Sequence, residues 1–562
     1  MARSEKEDRS FDATDFIPLH EGPNVLPNEH LFHAIHHWAY STDSLAVRDE
    51  DRGFRVTYKQ LLSDVLCCVS GLCSQLHPTT IGLLRSDHEV CICVWSEGYE
   101  FVVAFLSVLA LGAVAVPLNA QVTIPEATYI AKISRARGIL VNNQYLDSAT
   151  KLSKSVDLES IFRVVSSTQY CLSPIIAPSS IVFSASRLPD QSKSAIVIFT
   201  SGSTGNPKAA AMRRYNVYGY SMHLMRKHGY SEKTINLQLL PLHHGSGLFV
   251  YTLPVLLAGG CVEFMAGPFD PARVFKRLIS GDYHHIGLVP TMYVRLVEHW
   301  NTRIEQLPQK EKENYSLALS KIRDYHSSTS ALPRVVAETW RRITNGRQIL
   351  ERYGGTEFSS TFGCWPGDEA TLGSVGTKTP GVDVKLSDGD EGEILVRGPY
   401  MFAKYLNDPE ATKKVFNEEG YFKTGDIARR VKDKYFILGR SSIDIIKSGG
   451  YKISAIDIEN AITKLPKVAE AMVVGVEDVE YGQRIAAAIV LKNKSDTYTI
   501  GEFRRDLKQS LSNYKLPTIL RVVSSLERTA MMKAPKAALK VKLFDTDHPD
   551  IQRWGASCAV KL

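Results

Sequence analysis

Residues 196–208, IVIFTSGSTGNPK, decide how the rest of the chain is interpreted. The first part continues an apolar, β-branched run at 195–199, which is typical of a buried strand. The second part, 200–208, holds four hydroxyl side chains, two glycines and one lysine within nine residues. Glycines let the backbone approach a ligand closely, and converging amide dipoles attract an anion. The stretch therefore predicts a strand that ends in a phosphate-binding loop.

This loop differs from the P-loop of kinases and small GTPases, which requires glycine, four residues and then Gly-Lys-Ser/Thr. Pro207 occupies the position of the second glycine, and Ala209 follows Lys208. Taken alone, the stretch has a flexible surface loop as its alternative interpretation. Other segments of the chain must decide between a phosphate-binding loop and a surface loop.

Composition limits the class of protein. A chain of 562 residues is too long for one simple core and predicts two or more domains. The net charge of +7 suits a polyanionic small substrate. Nucleic-acid binding is not expected, because the sequence has no cluster of Lys and Arg interleaved with aromatic residues. Nine cysteines, an odd number, favour reduced thiols in an intracellular protein over a disulfide framework.

The ends and the apolar segments predict no membrane span. Residues 1–28 are expected to form a flexible tail, with neither a secretory signal nor a mitochondrial presequence. The longest apolar segment, 101–116, is short for a bilayer and predicts a buried helix leading into a strand at 113–116. The cytoplasm is the expected compartment. The final Val-Lys-Leu, 560–562, is similar to a peroxisomal signal, which makes the peroxisome the alternative.

Alternating helical and strand patterns predict α/β layers around mostly parallel sheets, with short strands at 81–84 and 138–141 among them. Short strands and turns at 374–438 predict a small β-rich subdomain. A compact α+β unit is expected after it, with a helix at 456–465 and strands at 470–476 and 484–491. The expected domains are 29–438 and 439–562.

Four further segments carry chemistry: RYGGTE at 352–357, KTGD at 423–426, GRSSIDIIKSGGYK at 439–452 and ERTAMMKAPK at 527–536. A carboxylate beside a hydroxyl on a glycine turn, as in the first, can hold Mg²⁺. An aspartate at a turn, as in the second, can accept both hydroxyls of a ribose. Singly, each segment is more often a structural turn than a site.

Together with residues 200–208, their order and spacing resemble the adenylate-forming superfamily of acyl-CoA synthetases, luciferases and the adenylation domains of peptide synthetases. The resemblance covers residues 31–543. It implies a large α/β N-terminal domain with layered subdomains and a small β-rich subdomain, plus a small, mobile α+β C-terminal domain. It also implies ATP, Mg²⁺ and coenzyme A, and a reaction that joins a carboxylic acid to a thiol through an acyl-adenylate.

The resemblance assigns roles to individual residues. The phosphates of ATP would lie on Thr200, Ser201, Gly202, Ser203, Thr204, Gly205 and Lys208. The remaining implied roles are adenine contact for Tyr353, α-phosphate contact for Thr356, Mg²⁺ binding for Glu357, ribose binding for Asp426, nucleotide contact for Arg440, and bridging of the reacting carboxylate and phosphate for Lys533. Lys447 would lie on the face that the C-terminal domain presents for thiolation, after a pivot at 441–444.

Within the superfamily, the run at 439–459 and YGQR at 481–484 resemble malonyl-CoA synthetases of the mitochondrial type. Arg295 stands where that group binds the second carboxylate of malonate, although a solvated or salt-bridged helix residue is an equal alternative. That group has His-x-His-Gly beside the acyl pocket. This chain keeps His244 but has Ser246 in place of the second histidine, which indicates an altered acid pocket.

The expected function is thus an AMP-forming acid–CoA ligase for a short dicarboxylic acid such as malonate, in specialised or fatty-acid metabolism. A medium-chain or aromatic acid is the alternative substrate, and the phosphopantetheine of a carrier protein, acting in trans, is the alternative acceptor. Ser328 and Met532, which replace usual glycines, favour a third hypothesis, a non-catalytic binding protein of the same fold.

Overall fold

The computed structural model describes residues 24–156, 160–184, 189–200, 207–441, 443–448, 451–479, 481–493, 495–528, 534–544 and 548–554. Its helices are α1 His30–Ser41, α2 Tyr58–Gln75, α3 Pro78–Arg85, α4 Gly98–Ala110, α5 Ile124–Ser134, α6 Leu146–Ser153, α7 Arg214–His228, α8 Leu253–Leu257, α9 Pro271–Ser280, α10 Pro290–His299, α11 Gln309–Lys321, α12 Arg334–Ile343, α13 Pro409–Lys414, α14 Ala455–Ile462, α15 Ile500–Leu507 and α16 Lys536–Phe544.

Its strands are β1 Val25–Leu26, β2 Leu45–Asp49, β3 Phe54–Thr57, β4 Cys91–Trp95, β5 Val114–Pro117, β6 Gly138–Val141, β7 Arg163–Ser166, β8 Val182–Phe183, β9 Ser194–Thr200, β10 Lys208–Arg213, β11 Ile235–Gln238, β12 Cys261–Phe264, β13 His285–Leu288, β14 Asp324–Ser327, β15 Ile349–Gly355, β16 Ser359–Gly363, β17 Thr377–Lys378, β18 Asp383–Asp388, β19 Glu391–Arg397, β20 Lys404–Tyr405, β21 Phe422–Val431, β22 Lys434–Arg440, β23 Ile445–Ser448, β24 Tyr451–Ser454, β25 Val468–Asp478, β26 Gly482–Leu491, β27 Ile519–Val522 and β28 Ile551–Arg553.

Two large sheets with parallel centres form the main layers. One has seven strands in the order β20-β10-β9-β5-β4-β6-β7, and the other has nine in the order β17-β16-β15-β14-β13-β11-β12-β2-β3. In the second sheet β12, β11, β13, β14 and β15 run parallel, and the antiparallel hairpin β15–β16 follows. The predicted α/β class with parallel sheets is confirmed.

Helices α2 and α4 bury their apolar faces in the main core. Leu61 and Leu66 of α2 and Phe101 and Phe105 of α4 are at most 1% exposed. The two phenylalanine rings stack with centroids 5.9 Å apart. Each such side chain contributes about 1.5–3 kcal/mol of hydrophobic stabilisation.

The predicted strand at 81–84 is wrong, because these residues lie in α3. Pro78 at its first turn and the cap that His77 provides to the amide of Thr79 start a helix there. The buried strand that follows is β4, Cys91–Trp95, in which every residue is buried. A short apolar run does not by itself separate a strand from one face of a helix.

Two smaller sheets follow. The first joins β18, β19, β21 and β22 in an antiparallel arrangement, and the second joins β24, β23, β26, β27 and β28, with β25 paired to β26. The chain passes from one sheet to the other between Arg440 and Ile445, whereas position 438/439 lies inside β22. The predicted helix at 456–465 corresponds to α14, which ends at Ile462.

No helix among the described residues is long and apolar enough to cross a membrane. The apolar segment 101–116 forms most of α4 and the start of β5, and Gly112, with φ +70°, makes the turn between them. The eight cysteines in the described part of the chain are all free.

Candidate active site

The predicted phosphate-binding segment lies at the end of a hairpin. Strands β9 and β10 pair antiparallel, with Thr200 opposite Lys208, so the residues between them connect the two strand ends. Ser201, Gly202, Ser203, Thr204 and Gly205 lie outside the described residues. The two flanking residues that are described, Thr200 and Lys208, therefore mark the place of the loop.

Glu357 lies next to this hairpin. Its Oε1 accepts a hydrogen bond from Oη of Tyr405 at 2.9 Å and a weaker one from Oγ1 of Thr200 at 3.4 Å. Nζ of Lys208 lies 5.0 Å from the ring centroid of Tyr405. Burial, followed by the charge of Glu357, raises the pKa of the Tyr405 hydroxyl, so it stays a donor. The carboxylate is thus fixed beside the predicted phosphate-binding segment.

These groups fit a hard divalent cation. Mg²⁺ takes oxygen ligands and is typically held by one or two carboxylates together with substrate phosphates. Glu357 supplies such a carboxylate, and the hydroxyl of Thr200 and the cation of Lys208 flank it. Thr356, the preceding residue, is half-buried at the same turn.

A turn between β15 and β16 presents Thr356 and Glu357. Gly354 allows this turn, because a Cβ on it would lie 2.1 Å from the carbonyl oxygen of Ser359. Ser359 itself takes a left-handed φ of +52°. The backbone amide of Phe402 donates to the carbonyl of Glu357 at 2.8 Å and ties the turn to the segment before β20.

A second set of side chains meets at Asp426. Oη of Tyr353 donates to its Oδ2 at 2.7 Å, and Nε of Arg440 donates to its Oδ1 at 2.9 Å. Burial raises the pKa of Asp426, and the Arg440 guanidinium opposes this shift. Asp426 and Arg440 face each other in register on β21 and β22. The structure therefore brings together three residues that are distant in the sequence. Tyr353 lies 73 positions before Asp426, and Arg440 lies 14 positions after it.

Lys447 does not join these two groups among the described residues. It is exposed on β23, and its backbone amide donates to Gln483 at 2.9 Å. Lys533 lies outside the described residues. The segment that contains it is flanked by Arg528, whose Nη1 donates to Oγ1 of Thr291 on α10 at 3.4 Å. The C-terminal unit therefore contacts the large domain just before the predicted bridging lysine.

The three predicted acid-pocket residues lie on two elements. The ring of His244 is tilted against that of His243, with centroids 4.1 Å apart, and Ser246 begins the π-helical turn Ser246–Val250. Arg295 lies half-buried on α10, with its guanidinium 5.2 Å from the ring centroid of Phe269. No carboxylate in the described part of the chain forms an ion pair with Arg295.

Sequence reasoning missed two features of this region. Tyr405 is one, because only the pairing of β20 with β10 places it against Glu357. The other is the meeting of Arg352 with three histidines, His228, His285 and His326, from separate elements. Nothing in the sequence shows which distant histidines His285 meets.

Comparisons with known proteins identify the family. The family model of AMP-binding enzymes matches residues 35–406, and the model of their C-terminal domain matches 457–533. The human mitochondrial malonate–CoA ligase is 31% identical, covering 92% of this chain and 94% of its own length. A CoA ligase of Gibberella moniliformis is 30% identical, covering 92% and 95%.

Solved structures show the same fold. ATP-bound MatB from Rhodopseudomonas palustris has a TM-score of 0.75 at 24% identity, covering 91% of this chain and 99% of its own. A malonyl-CoA ligase with methylmalonyl-CoA and AMP bound has a TM-score of 0.58 at 29% identity, covering 87% and 99%. The chain belongs to the AMP-binding enzyme family, as an adenylate-forming acyl-CoA synthetase that resembles the malonyl-CoA synthetases.

Proposed function

We propose that this ligase activates a short dicarboxylic acid, malonate or a close relative, and transfers it to coenzyme A. The observation that supports adenylation most strongly is the convergence of Thr200, Glu357 and Tyr405 at one point and of Tyr353, Asp426 and Arg440 at another. Tyr353 and Glu357, one from each group, lie on either side of Thr356 in the sequence, an order that suits the ribose and phosphate ends of one nucleotide.

The chemistry needs charge neutralisation more than a nucleophile. A carboxylate must approach the α-phosphorus of ATP, and two anions repel each other. Mg²⁺ bound at Glu357 supplies positive charge to the phosphates when it is present. The hydroxyl of Thr200 and the ammonium of Lys208 are donors already positioned beside that carboxylate. Losing one preorganised donor of this kind typically costs about 10²- to 10³-fold in kcat.

The assignment of a dicarboxylic acid has separate support. Several relatives are named malonate–CoA ligases, and Arg295 has no carboxylate partner among the described residues. The relatives also include an acyl-CoA ligase of Aspergillus oryzae, 28% identical, whose name specifies no acid. A medium-chain or aromatic acid is the second candidate. Ser246 in place of a histidine beside the acid pocket favours that second candidate.

We assign Lys533 to the adenylation step and the face around Lys447 to thiolation, with a rotation of residues 439–562 about the segment 441–444. Free coenzyme A is the proposed acceptor, and a carrier-protein phosphopantetheine is the alternative. The cytoplasm is the proposed compartment, and the peroxisome is the alternative.

Exchange of pyrophosphate into ATP tests the substrate. A panel of malonate, methylmalonate, succinate, hexanoate and cinnamate should give the fastest exchange with a dicarboxylic acid. If hexanoate or cinnamate outperforms malonate, the dicarboxylate assignment is wrong. Thioester formation with coenzyme A, compared with a holo-carrier protein, decides the acceptor.

A further inference from the structure

The described residues on both sides of Lys533 are held in place by ion pairs. Before it, Arg528 pairs with Glu470 of β25 and donates a hydrogen bond to Oγ1 of Thr291 on α10 at 3.4 Å. After it, Lys536 begins α16 and binds two carboxylates. Only seven residues separate Arg528 from Lys536, so these two side chains limit where Lys533 can lie.

Lys536 is the more deeply buried of these two cations. Its Nζ binds Oδ1 of Asp444 and Oε1 of Glu459, each at 2.6 Å. The side chains of Lys536 and Asp444 are 17% and 15% exposed, compared with 28% for Arg528. Removing one partner of a buried ion pair is far more costly than removing one at the surface. The two carboxylates therefore fix the position of Lys536.

Asp444 connects this lysine to the other side of the proposed pivot, 441–444. Its carbonyl accepts a hydrogen bond from the amide of Ala455 at 2.7 Å, which ties Asp444 to the start of α14. Its Oδ2 accepts one from the backbone amide of Arg440, at the end of β22, at 3.0 Å. One carboxylate thus binds Lys536 through one oxygen and Arg440 through the other.

A glycine before the pivot makes this contact possible. Gly439 has a φ of +130°, and a Cβ on it would lie 2.2 Å from the Cβ of Asp444. Only glycine combines this backbone conformation with so close an approach. A rotation about 441–444 carries Asp444 along with α14 and away from β22. Such a rotation therefore has to break the bond between Asp444 and the amide of Arg440.

The same arginine reaches the proposed ribose site. Nε of Arg440 donates to Oδ1 of Asp426 at 2.9 Å, while its backbone amide donates to Asp444. Contacts thus run without a gap from Asp426 through Arg440 and Asp444 to Lys536, which lies three positions after Lys533. A contiguous path of this kind couples two sites when an element within it has two arrangements, and the pivot is such an element.

We propose that Lys536 is a positioning residue for adenylation, because through Asp444 it holds the pivot in the orientation in which the chain just before Lys533 contacts α10. This inference rests on the proposed function, which assigns Lys533 to adenylation and the face around Lys447 to thiolation. Loss of the bond between Lys536 and Asp444 releases the pivot. Adenylation then slows, whereas thiolation, which uses the other orientation, does not. A purely structural role would slow both half-reactions alike.

The test measures the two half-reactions separately, with the acid that gives the wild type its fastest pyrophosphate exchange. That exchange reports adenylation, and thioester formation from the preformed adenylate of the same acid and coenzyme A reports thiolation. In Asp444→Asn, which keeps the shape but removes the charge, the ratio of the adenylation rate to the thiolation rate should fall about 3- to 10-fold. In Lys536→Met it should fall about 10- to 100-fold, since a small displacement of a catalytic group is costly. Lys536→Arg, which keeps the cation, should restore most of the ratio.

Glu459→Gln is the matched control. Glu459 binds the same lysine at the same distance, but its Oε1 accepts from the amide of Val473 on β25 rather than from the chain before the pivot. Its ratio should equal that of the wild type. The inference is overturned if Glu459→Gln lowers the ratio as much as Asp444→Asn, if neither Asp444→Asn nor Lys536→Met changes it, or if Lys536→Met slows both half-reactions equally. Exchange that is unaffected in Lys533→Ala would instead refute the proposed role of Lys533 itself.

Discussion

Tyr353 donates a hydrogen bond to Asp426 over 2.7 Å and thereby joins the strand before the Thr356 turn to the four-stranded sheet. Since Arg440 holds the other carboxylate oxygen, Asp426 is positioned from both sides. A carboxylate fixed in this way can accept two hydroxyl groups without reorganising.

Asp426→Asn should raise the KM for ATP about 10- to 100-fold, because a neutral amide accepts weaker bonds than a carboxylate. Pyrophosphate exchange at varied ATP concentration measures this. Asp383→Asn is a matched control, since Asp383 also accepts from a tyrosine and an arginine, Tyr421 and Arg397, but on the exposed face of β18. Equal effects of the two substitutions would contradict the ribose assignment.

Tyr405→Phe should raise the Mg²⁺ concentration needed for half-maximal exchange by about 5- to 20-fold. The substitution removes the 2.9 Å hydrogen bond that orients Glu357, and a bond to a charged group contributes about 1.5–3 kcal/mol. A Mg²⁺ titration at saturating ATP measures the change, with Tyr421→Phe as the control. An unchanged Mg²⁺ requirement would show that Tyr405 does not orient Glu357 for Mg²⁺ binding.

Much of this site follows from the sequence, because its motifs are contiguous. Tyr353, Thr356 and Glu357 lie within one hexapeptide, and Asp426 and Arg440 lie opposite each other on two consecutive strands. Tyr405 could not be predicted, since β20 reaches the site only by pairing with β10 across about 190 positions. The meeting of Arg352 with three histidines likewise depends on the parallel order of β13, β14 and β15.

The same contrast applies to the fold. The alternation of helices and strands correctly predicted α/β layers, whereas the segment 81–84 was predicted as a strand and is helical. Its apolar residues occupy one face of a short helix, and the proline and histidine at its start outweigh the local β propensity. The sequence could not predict which residues the buried polar side chains contact, because these contacts depend on the order of strands rather than on periodicity.

The buried histidines predict a pH-dependent stability. Burial lowers the pKa of His285 to about 4 in the folded protein. The unfolded chain binds a proton near pH 6.5 and the folded one does not, so stability is lost as the pH falls from 7 towards 4. His285 alone should lower the free energy of unfolding by about 2 kcal/mol between pH 7 and pH 5.

Urea midpoints at pH 7 and pH 5, for the wild type and His285→Asn, measure this dependence. The variant should lose less stability than the wild type over that interval. If both proteins lose the same amount, His285 does not titrate as its burial requires.

An ionic cluster stabilises the C-terminal unit. Nζ of Lys536 binds Asp444 and Glu459, each at 2.6 Å, and all three side chains are less than 20% exposed. Lys536→Met should lower the free energy of unfolding by about 2 kcal/mol, because it leaves Glu459 partly buried without a cation. Removing both partners in Lys536→Met/Glu459→Leu should restore part of the loss.

Chemical denaturation monitored by circular dichroism measures these changes. Lys540→Met is the control, since Lys540 pairs with Glu477, whose side chain is 74% exposed. A loss as large in Lys540→Met as in Lys536→Met would show that burial of the ion pair is not the cause.

The most direct test of the account is a single turnover without coenzyme A. The protein is mixed with ATP, Mg²⁺ and malonate, and the acyl-adenylate is sought by mass spectrometry. We expect malonyl-AMP in amounts near the enzyme concentration, and at least about 100-fold slower formation in Glu357→Gln. If ATP binds but no acid of the panel yields an acyl-adenylate, the central claim of carboxylate adenylation is contradicted.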